Sequence, residues 1–123
     1  MTQRVLTGIK PTGMPHIGNL LAMYRPALAK QDGAECFFFV ASYHALTTMR
    51  DPEALRRDSH EIAASWLACG LNPDKTVLWR QSDVPEVCEL SWILGCVTGF
   101  GLLERAHAFK DARARGRDIN FGI

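Results

Sequence analysis

The most constraining feature of this sequence is the stretch TGIKPTGMPHIGN, residues 7–19, which joins an apolar segment to an amphipathic one. It holds three glycines, two prolines and one histidine. Gly8 and Gly13 permit backbone conformations or close approaches that a side chain would block, and the prolines stiffen the turn. A helix that begins near His16 or Ile17 presents its N–H groups and the positive end of its dipole. A strand, a glycine-rich turn and a helix N-terminus together predict a phosphate-binding turn.

Three residues around the predicted helix start are candidate ligand contacts. His16 and Asn19 lie three positions apart, with Gly18 between them where a ligand can approach the backbone. The turn is not a Walker loop, because no G-K-[ST] follows, and it lacks the G-x-G-x-x-G dinucleotide fingerprint. A tight turn with a histidine cap would explain the same residues without a ligand.

The rest of the chain alternates predicted strands and helices. The predicted strands are Arg4–Ile9, Cys36–Ala41 and Thr76–Arg80, and the continuous apolar run CFFFVA predicts that the second is covered on both faces. This order predicts an α/β fold, a Rossmann-like parallel sheet with crossover helices, in which residues 1–123 form part of one nucleotide-binding domain.

Helical periodicity and capping residues predict four helices. The first has a predicted buried face of Ile17, Leu20, Leu21, Tyr24 and Leu28, and Pro26 should kink or interrupt it. The others are predicted from Asp51-Pro52 to Gly70, from about Pro85, and from Leu102 to Arg115.

Composition excludes several classes of protein. The 123 residues carry a net charge of +1, which argues against a surface that binds nucleic acid throughout. The sequence shows no secretory leader and no membrane span, so a cytoplasmic protein is predicted. The four cysteines have no C-x-x-C spacing and apolar neighbours, which favours buried free thiols over a metal site (Cys36, Cys69, Cys88 and Cys96).

Four ordered segments carry a family resemblance. P-T-G-M-P-H-I-G-N is similar to the first signature of class I aminoacyl-tRNA synthetases, in the variant that ends in Asn. TGIKPTG, SYHALTT, RQSDVPE and GLLERAHAFK resemble segments of the bacterial tryptophanyl-tRNA synthetases in the same order, from Val5 to Ile123. The resemblance implies an ATP-dependent ligase that activates L-tryptophan and transfers it to tRNA(Trp), with Mg²⁺ accompanying the nucleotide and a homodimer as the full-length assembly.

The resemblance also implies site residues. The positions matching catalytic residues are His16 and Lys110. Those matching ATP contacts are Lys10, Pro11, Thr12, His16, Gly18 and Asn19, and those matching the tryptophan pocket are Leu6, Gly8, Ala41 and His44. No residue is implied as a metal ligand. One departure lies within SYHALTT, where Ser42 stands at a position that relatives usually fill with aspartate.

Other functions remain open on the sequence. The family's second signature, a lysine-rich KMSKS-like loop, does not occur in these residues, so the chain resembles the first half of the catalytic domain and is predicted to be a poor catalyst alone. The alternatives are a tyrosyl-tRNA synthetase fragment, a non-catalytic nucleotide-binding relative, and a small metal or redox protein. The basic run from Arg105 to Arg117 fits a solvated helix face as well as tRNA contact, and Leu90, Trp92, Ile93 and Leu94 fit either a subunit contact or a core.

Overall fold

The computed structural model describes residues 2–117. The chain groups into two compact units, one ending at Asp83 and the other beginning at Val84. The predicted domain extent of 1–123 includes residues 118–123, which lie outside the described residues, and it stays a prediction.

The first unit is an alternating α/β unit. Its strands are β1 (Arg4–Ile9), β2 (Glu35–Val40) and β3 (Thr76–Arg80). Its helical segments are α1 (Ile17–Asn19), a π-helical turn (Leu20–Tyr24), α2 (Arg25–Leu28), α3 (Ser42–Ala45), α4 (Pro52–Ala68) and a 3₁₀ turn (Gln81–Asp83). The predicted bounds of β1 and β3 are confirmed, and β2 begins and ends one residue earlier than predicted.

The sheet is parallel, with strand order β1-β2-β3. Phe39 on β2 lies opposite Gly8 on β1 and Trp79 on β3. Because parallel strands end at the same edge, this topology places the turn after β1, α3 after β2 and the 3₁₀ turn after β3 together. The predicted α/β class with a parallel sheet is confirmed.

The helical residues between β1 and β2 wind more loosely than predicted. Arg25 N–H bonds the carbonyl of Leu20, five residues back, in the π-helical turn that precedes Pro26. Proline supplies no N–H and crowds the preceding turn, so the wider turn accommodates it without ending the helix. The π-helical turn also breaks the 3.6-residue period. Ile17 and Leu21, predicted to be buried, are 67% and 55% exposed.

The core of the first unit lies on one face of the sheet. Trp66 of α4 meets Tyr24 edge-on at 4.4 Å between ring centroids and stacks on Phe38 at 4.7 Å. All three side chains are buried, and burial raises the pKa of the Tyr24 hydroxyl, keeping it protonated. On the opposite face of β2, Phe37 and Phe39 are only half-buried. The prediction that β2 is covered on both faces is therefore wrong for the described residues.

Helix α4 has the ends that its sequence predicts. The Asp51 side chain accepts a 2.9 Å hydrogen bond from the N–H of Glu53 and caps the first turn. At the other end Gly70 has φ +104°, and the N–H groups of Gly70 and Leu71 bond the carbonyls of Leu67 and Trp66. This reciprocal pair is a Schellman motif, in which glycine adopts the left-handed conformation at least cost.

The second unit contains α5 (Glu86–Val97), α6 (Phe100–Leu103) and α7 (His107–Ala114). The predicted continuous helix from Leu102 to Arg115 is wrong, because Ala106 is extended (φ −61°, ψ 140°) and restarts the helix as an N-cap. Several large apolar side chains of α5 are exposed, so they do not form a core: Leu90, Trp92, Ile93 and Leu94. No helix among residues 2–117 is long and apolar enough to cross a membrane.

All four cysteines are free, but the prediction that they are buried holds for one of them. Cys36 is buried in β2, and burial raises the pKa of its thiol. The other three are exposed, one at the C-cap of α4 and two on α5 (Cys69, Cys88 and Cys96). Within the described part of the chain, no three His, Cys, Asp or Glu side chains gather in a group that could hold a metal ion.

Candidate functional site

The glycine-rich turn at the carboxyl end of β1 has the geometry that its sequence predicts. Gly13 has φ +112°, a left-handed conformation that other residues rarely adopt. Pro11 is fully buried beneath the turn, and the Thr12 N–H bonds the Lys10 carbonyl at 3.0 Å. The turn is therefore anchored at the buried Pro11, while Thr12 is exposed to solvent.

His16 and Asn19 cap the helix reciprocally. The N–H of Gly18 donates to His16 Nδ1 at 3.1 Å, and the N–H of His16 donates to Asn19 Oδ1 at 2.9 Å. Because Nδ1 is an acceptor here, the neutral imidazole carries its proton on Nε2 and can donate it to an external oxygen. The backbone N–H groups of Gly18 and Asn19 are both used within the cap. The histidine cap is therefore real, and it orients the ring as a donor rather than excluding a ligand.

Gly18 is needed for this arrangement. A Cβ at position 18 would lie 2.8 Å from Cε1 and 2.9 Å from Nδ1 of the His16 ring, closer than van der Waals contact allows. A side chain there would displace the ring from its hydrogen bond. In the structure Gly18 leaves room for the imidazole, and its predicted contact with a ligand stays a prediction.

Lys10 ties the turn to the segment after α3. Its Nζ donates to Thr47 Oγ1 at 2.9 Å and to Thr48 Oγ1 at 3.0 Å. Thr47 Oγ1 in turn donates to the carbonyl of His44 at 2.8 Å. An ammonium group has three N–H donors, so one remains for an anion after Lys10 has donated to both threonines. Sequence reasoning placed Lys10 but missed the two threonines that hold it.

The four predicted tryptophan-pocket residues lie on β1, directly after β2 and on α3, and they differ in exposure. Leu6 is 68% exposed on β1, and Ala41 is buried with its N–H bonded to the Ile9 carbonyl at 2.8 Å. His44 is exposed on α3. Gly8 shares the sheet face of Leu6, and the structure brings both alongside β2.

Phe39 covers Gly8. A Cβ at position 8 would lie only 2.4 Å from the tip of the Phe39 ring, so the ring rests on the glycine backbone. Phe39 also stacks on Trp79 at 5.1 Å between centroids. Sequence reasoning missed Phe39, although a glycine inside a strand is itself a signal of close approach by another group.

Ser42 joins the carboxyl ends of β2 and β3. Its buried Oγ accepts a 3.0 Å hydrogen bond from the N–H of Ser82, and Gln81 Oε1 accepts one from the N–H of Tyr43 at 3.1 Å. The hydroxyl therefore performs the acceptor role that a carboxylate could perform at this position. Unlike a carboxylate, it adds no negative charge.

Lys110 lies on α7 in the second unit and is exposed. The remaining predicted residues belong to the first unit, where the structure brings together the turn residues and α3.

The chain is similar to one family of known proteins along its length. A family model described as tRNA synthetases class I (W and Y) matches residues 2–122. A tryptophan–tRNA ligase of Xanthomonas campestris is 53% identical over 129 aligned positions, which cover 100% of this chain and 30% of the relative. The tryptophanyl-tRNA synthetase structure from Campylobacter jejuni superposes with a TM-score of 0.91 at 45% identity, covering 99% of this chain and 38% of that one. The same enzyme complexed with ADP and tryptophan gives a TM-score of 0.90 at 46% identity. The chain thus spans about a third of the length of the relatives it matches.

Proposed function

This chain belongs to the class I tRNA synthetases (W and Y), and we propose that it forms the amino-terminal part of the catalytic domain of a tryptophan–tRNA ligase. The observation that carries the proposal is the capped turn at the carboxyl end of β1, where Gly18 and Asn19 hold the His16 imidazole with its Nε2–H as a donor, on the same turn that carries Lys10. The ADP and tryptophan complex of the Campylobacter jejuni relative supports nucleotide binding by this fold.

The turn would bind the triphosphate of ATP. Lys10 and His16 supply a cation and a neutral donor, while Pro11 is buried beneath the turn and Gly18 leaves room for the His16 ring. The reaction joins the tryptophan carboxylate oxygen to the α-phosphorus as the bond to the pyrophosphate oxygen breaks, so pyrophosphate leaves with its electron pair. Both reactants are anions, and preorganised donors lower the barrier by stabilising charge on the phosphates.

Mg²⁺ would enter with the nucleotide. The turn offers a lysine, a threonine, a histidine and an asparagine, and no carboxylate that a hard cation prefers (Lys10, Thr12, His16 and Asn19). These residues suit the phosphate anion rather than the metal. The Mg²⁺ ligands would therefore be phosphate oxygens, and no residue of the turn is assigned to the ion.

The amino acid would lie on the sheet face that carries Leu6 and Gly8, beside Ala41 and His44. Phe39 and its stacked partner Trp79 add an apolar wall to this face. An indole ring is planar and apolar and can stack on such a wall. His44 lies on α3, the helix after β2, and would contact the polar part of the substrate.

The subunit contact would lie on α5. Trp92 is 77% exposed, and Leu90, Ile93 and Leu94 are 52–60% exposed beside it on the same helix. A cluster of exposed apolar residues of this kind marks an interaction surface. Sedimentation of a full-length protein carrying Trp92→Asp would give monomers where the parent gives dimers, and an unchanged dimer would exclude this contact.

The proposal also includes tRNA(Trp) as a partner, Lys110 as a phosphate contact and a cytoplasmic location.

A chimeric enzyme tests the proposal. This chain would replace the matching 30% of the Xanthomonas campestris ligase, and tryptophan-dependent exchange of pyrophosphate into ATP would be measured. We expect exchange with tryptophan and none with tyrosine. Exchange with tyrosine instead would establish the tyrosyl alternative, and a folded chimera that binds ATP without exchange would establish the non-catalytic one.

Gly18→Ala supplies the variant for the same assay. Its Cβ would displace His16 from the cap, and loss of one preorganised donor reduces exchange by about 10²–10³-fold. Gly33→Ala is the matched control, since a Cβ at Gly33 meets nothing within 4 Å. Equal activity of the two variants would remove His16 from the phosphate site.

A further inference from the structure

A polar cavity lies at the carboxyl ends of β2 and β3, and no residue of the turn after β1 lines it. Its volume is about 170 Å³. The polar side chains that line it come from three elements: Ser42 of α3, Arg56 and Ser59 of α4, and Arg80 and Ser82 beside β3. None of these residues belongs to the proposed ATP or tryptophan site.

The cations at the cavity are two arginines, each paired with a nearby carboxylate. Two guanidinium groups line it, and the first turn of α4 adds the positive end of a 17-residue helix. Arg80 uses Nε and Nη2 to bond one oxygen of Asp83, at 2.9 and 2.5 Å, and Arg56 reaches Glu53 at 3.4 Å. Neither Asp83 nor Glu53 lines the cavity. A guanidinium has five N–H donors, so each arginine retains donors beyond its ion pair.

Buried hydroxyl groups form the polar wall. Ser42 is 4% and Ser59 is 6% exposed. Ser59 Oγ donates to the Leu55 carbonyl at 2.6 Å, whereas Ser42 Oγ accepts from the N–H of Ser82 at 3.0 Å. Because the Ser42 oxygen is the acceptor in that bond, its own proton is available to a ligand oxygen. The combination of two arginines with a hydroxyl donor is the donor set that recognises oxyanions.

We propose that this cavity, the Arg56–Arg80 pocket, binds a small free oxyanion of the size of inorganic phosphate or sulfate. Its volume of about 170 Å³ accommodates a tetrahedral anion. Ser42 opens α3, Arg56 lies on α4 and Arg80 ends β3. A bound anion therefore ties α3, and with it His44, to the neighbouring elements.

Amide chemical shifts of the 123-residue chain give the direct test. Inorganic phosphate would be titrated at constant ionic strength, with chloride as the balancing anion. We expect saturable shifts of the Ser42 and Ser82 amides. Shifts confined to Gly18 and Asn19 would mean that phosphate binds only at the ATP turn and would overturn the pocket. The absence of any saturable shift would overturn it as well.

Three variants sharpen the test. Arg80→Gln removes one cation, and Ser42→Asp keeps an acceptor for the Ser82 N–H while placing a negative charge in the pocket. Each should raise the half-saturating phosphate concentration by at least about tenfold, because charge-assisted hydrogen bonds dominate oxyanion affinity. Arg25→Gln removes an exposed arginine that does not line the pocket and should leave the titration unchanged. Equal weakening by Arg25→Gln and Arg80→Gln would show non-specific attraction and overturn the proposal.

The chimera separates this inference from the proposed function. Pyrophosphate exchange tests the ATP turn and does not require the Arg56–Arg80 pocket to be filled. An active chimera, together with Ser42 and Ser82 amide shifts that do not change on addition of phosphate, would refute only the pocket. An inactive chimera with the expected shifts would refute only the enzyme.

Discussion

Gly8→Ala tests the contact that most constrains the candidate amino-acid site. The added Cβ would lie 2.4 Å from Cζ and 2.6 Å from both Cε atoms of Phe39, so the ring must move. The far side of that ring is held by Trp79 at 5.1 Å, and moving it weakens a stacked pair worth about 0.5–1.5 kcal/mol. Overpacking of this kind costs about 1–3 kcal/mol. We expect a loss of about 2 kcal/mol in the free energy of unfolding.

Urea unfolding of the 123-residue chain, followed by tryptophan fluorescence and circular dichroism, measures this loss. Gly33→Ala is the matched control, because it adds the same methyl group where nothing lies within 4 Å and φ is not left-handed. Its effect should stay within about 0.5 kcal/mol. Comparing the two variants separates the contact with Phe39 from the general effect of replacing glycine.

Phe39→Leu decides whether the ring is the cause. It removes the aromatic atoms that the new Cβ would meet, so Gly8→Ala should cost less in the Phe39→Leu background. We expect a coupling of at least about 1 kcal/mol in the double-mutant cycle. A Gly8→Ala loss below about 0.5 kcal/mol, or a cycle with no coupling, would refute the reasoning.

Three further predictions concern separate elements. Replacing Thr47 and Thr48 by valine removes both hydrogen-bond partners of Lys10. If Lys10 then spends a tenth of its time in place, the Km for ATP in the chimera should rise about tenfold. The corresponding serine variants should restore the Km, and unchanged kinetics would mean that Lys10 needs no support. Asp51→Ala should destabilise α4 by about 1 kcal/mol in urea unfolding, whereas Asp51→Asn should retain most of the cap; equal losses would contradict a capping role. Burial keeps the Cys36 thiol protonated in the folded chain at pH values where the unfolded thiol, with a pKa of about 8.5, loses its proton. The free energy of unfolding should therefore fall as pH rises above that value. Cys36→Ala should reduce this pH dependence, and an unchanged pH dependence would assign it to another group.

The sequence predicted the elements whose ends carry local signals. Arg4–Ile9 and Thr76–Arg80 have the predicted bounds because turn residues flank short apolar runs. Asp51 and Gly70 mark the ends of α4 through a side-chain cap and a left-handed glycine, both of which depend on residue type. These features follow from local chemistry, so one sequence is sufficient to predict them.

Other features depend on tertiary environment and were not predictable in the same way. Ile17 and Leu21 lie in and next to the π-helical turn before Pro26 and are exposed, although their spacing fits a buried helix face. The restart at Ala106 has no glycine or proline to mark it. Apolar sequence neighbours also failed to predict burial of Cys88 and Cys96, because the helix that carries them is largely exposed in the described residues.

The same distinction between local and tertiary contacts applies to the candidate site. The motif around His16 predicted the capped turn, since its partners lie within three residues of one another. The bonds from Lys10 to Thr47 and Thr48 span 37 and 38 positions. Such contacts depend on how the strand ends meet, so residue spacing alone did not reveal them.

The two halves of the proposed site differ in how far this chain builds them. The nucleotide half is held by hydrogen bonds among its own residues, from His16 to Asn19 and from Lys10 to Thr47. The amino-acid half is a sheet face on which Leu6 is 68% and Val77 is 51% exposed. A pocket that selects an aromatic side chain must enclose it, because desolvation and shape supply the selectivity. The chain alone should therefore bind ATP without distinguishing tryptophan from tyrosine, and the chimera should distinguish them. Calorimetric titration of both proteins measures this difference, and selective tryptophan binding by the chain alone would contradict it.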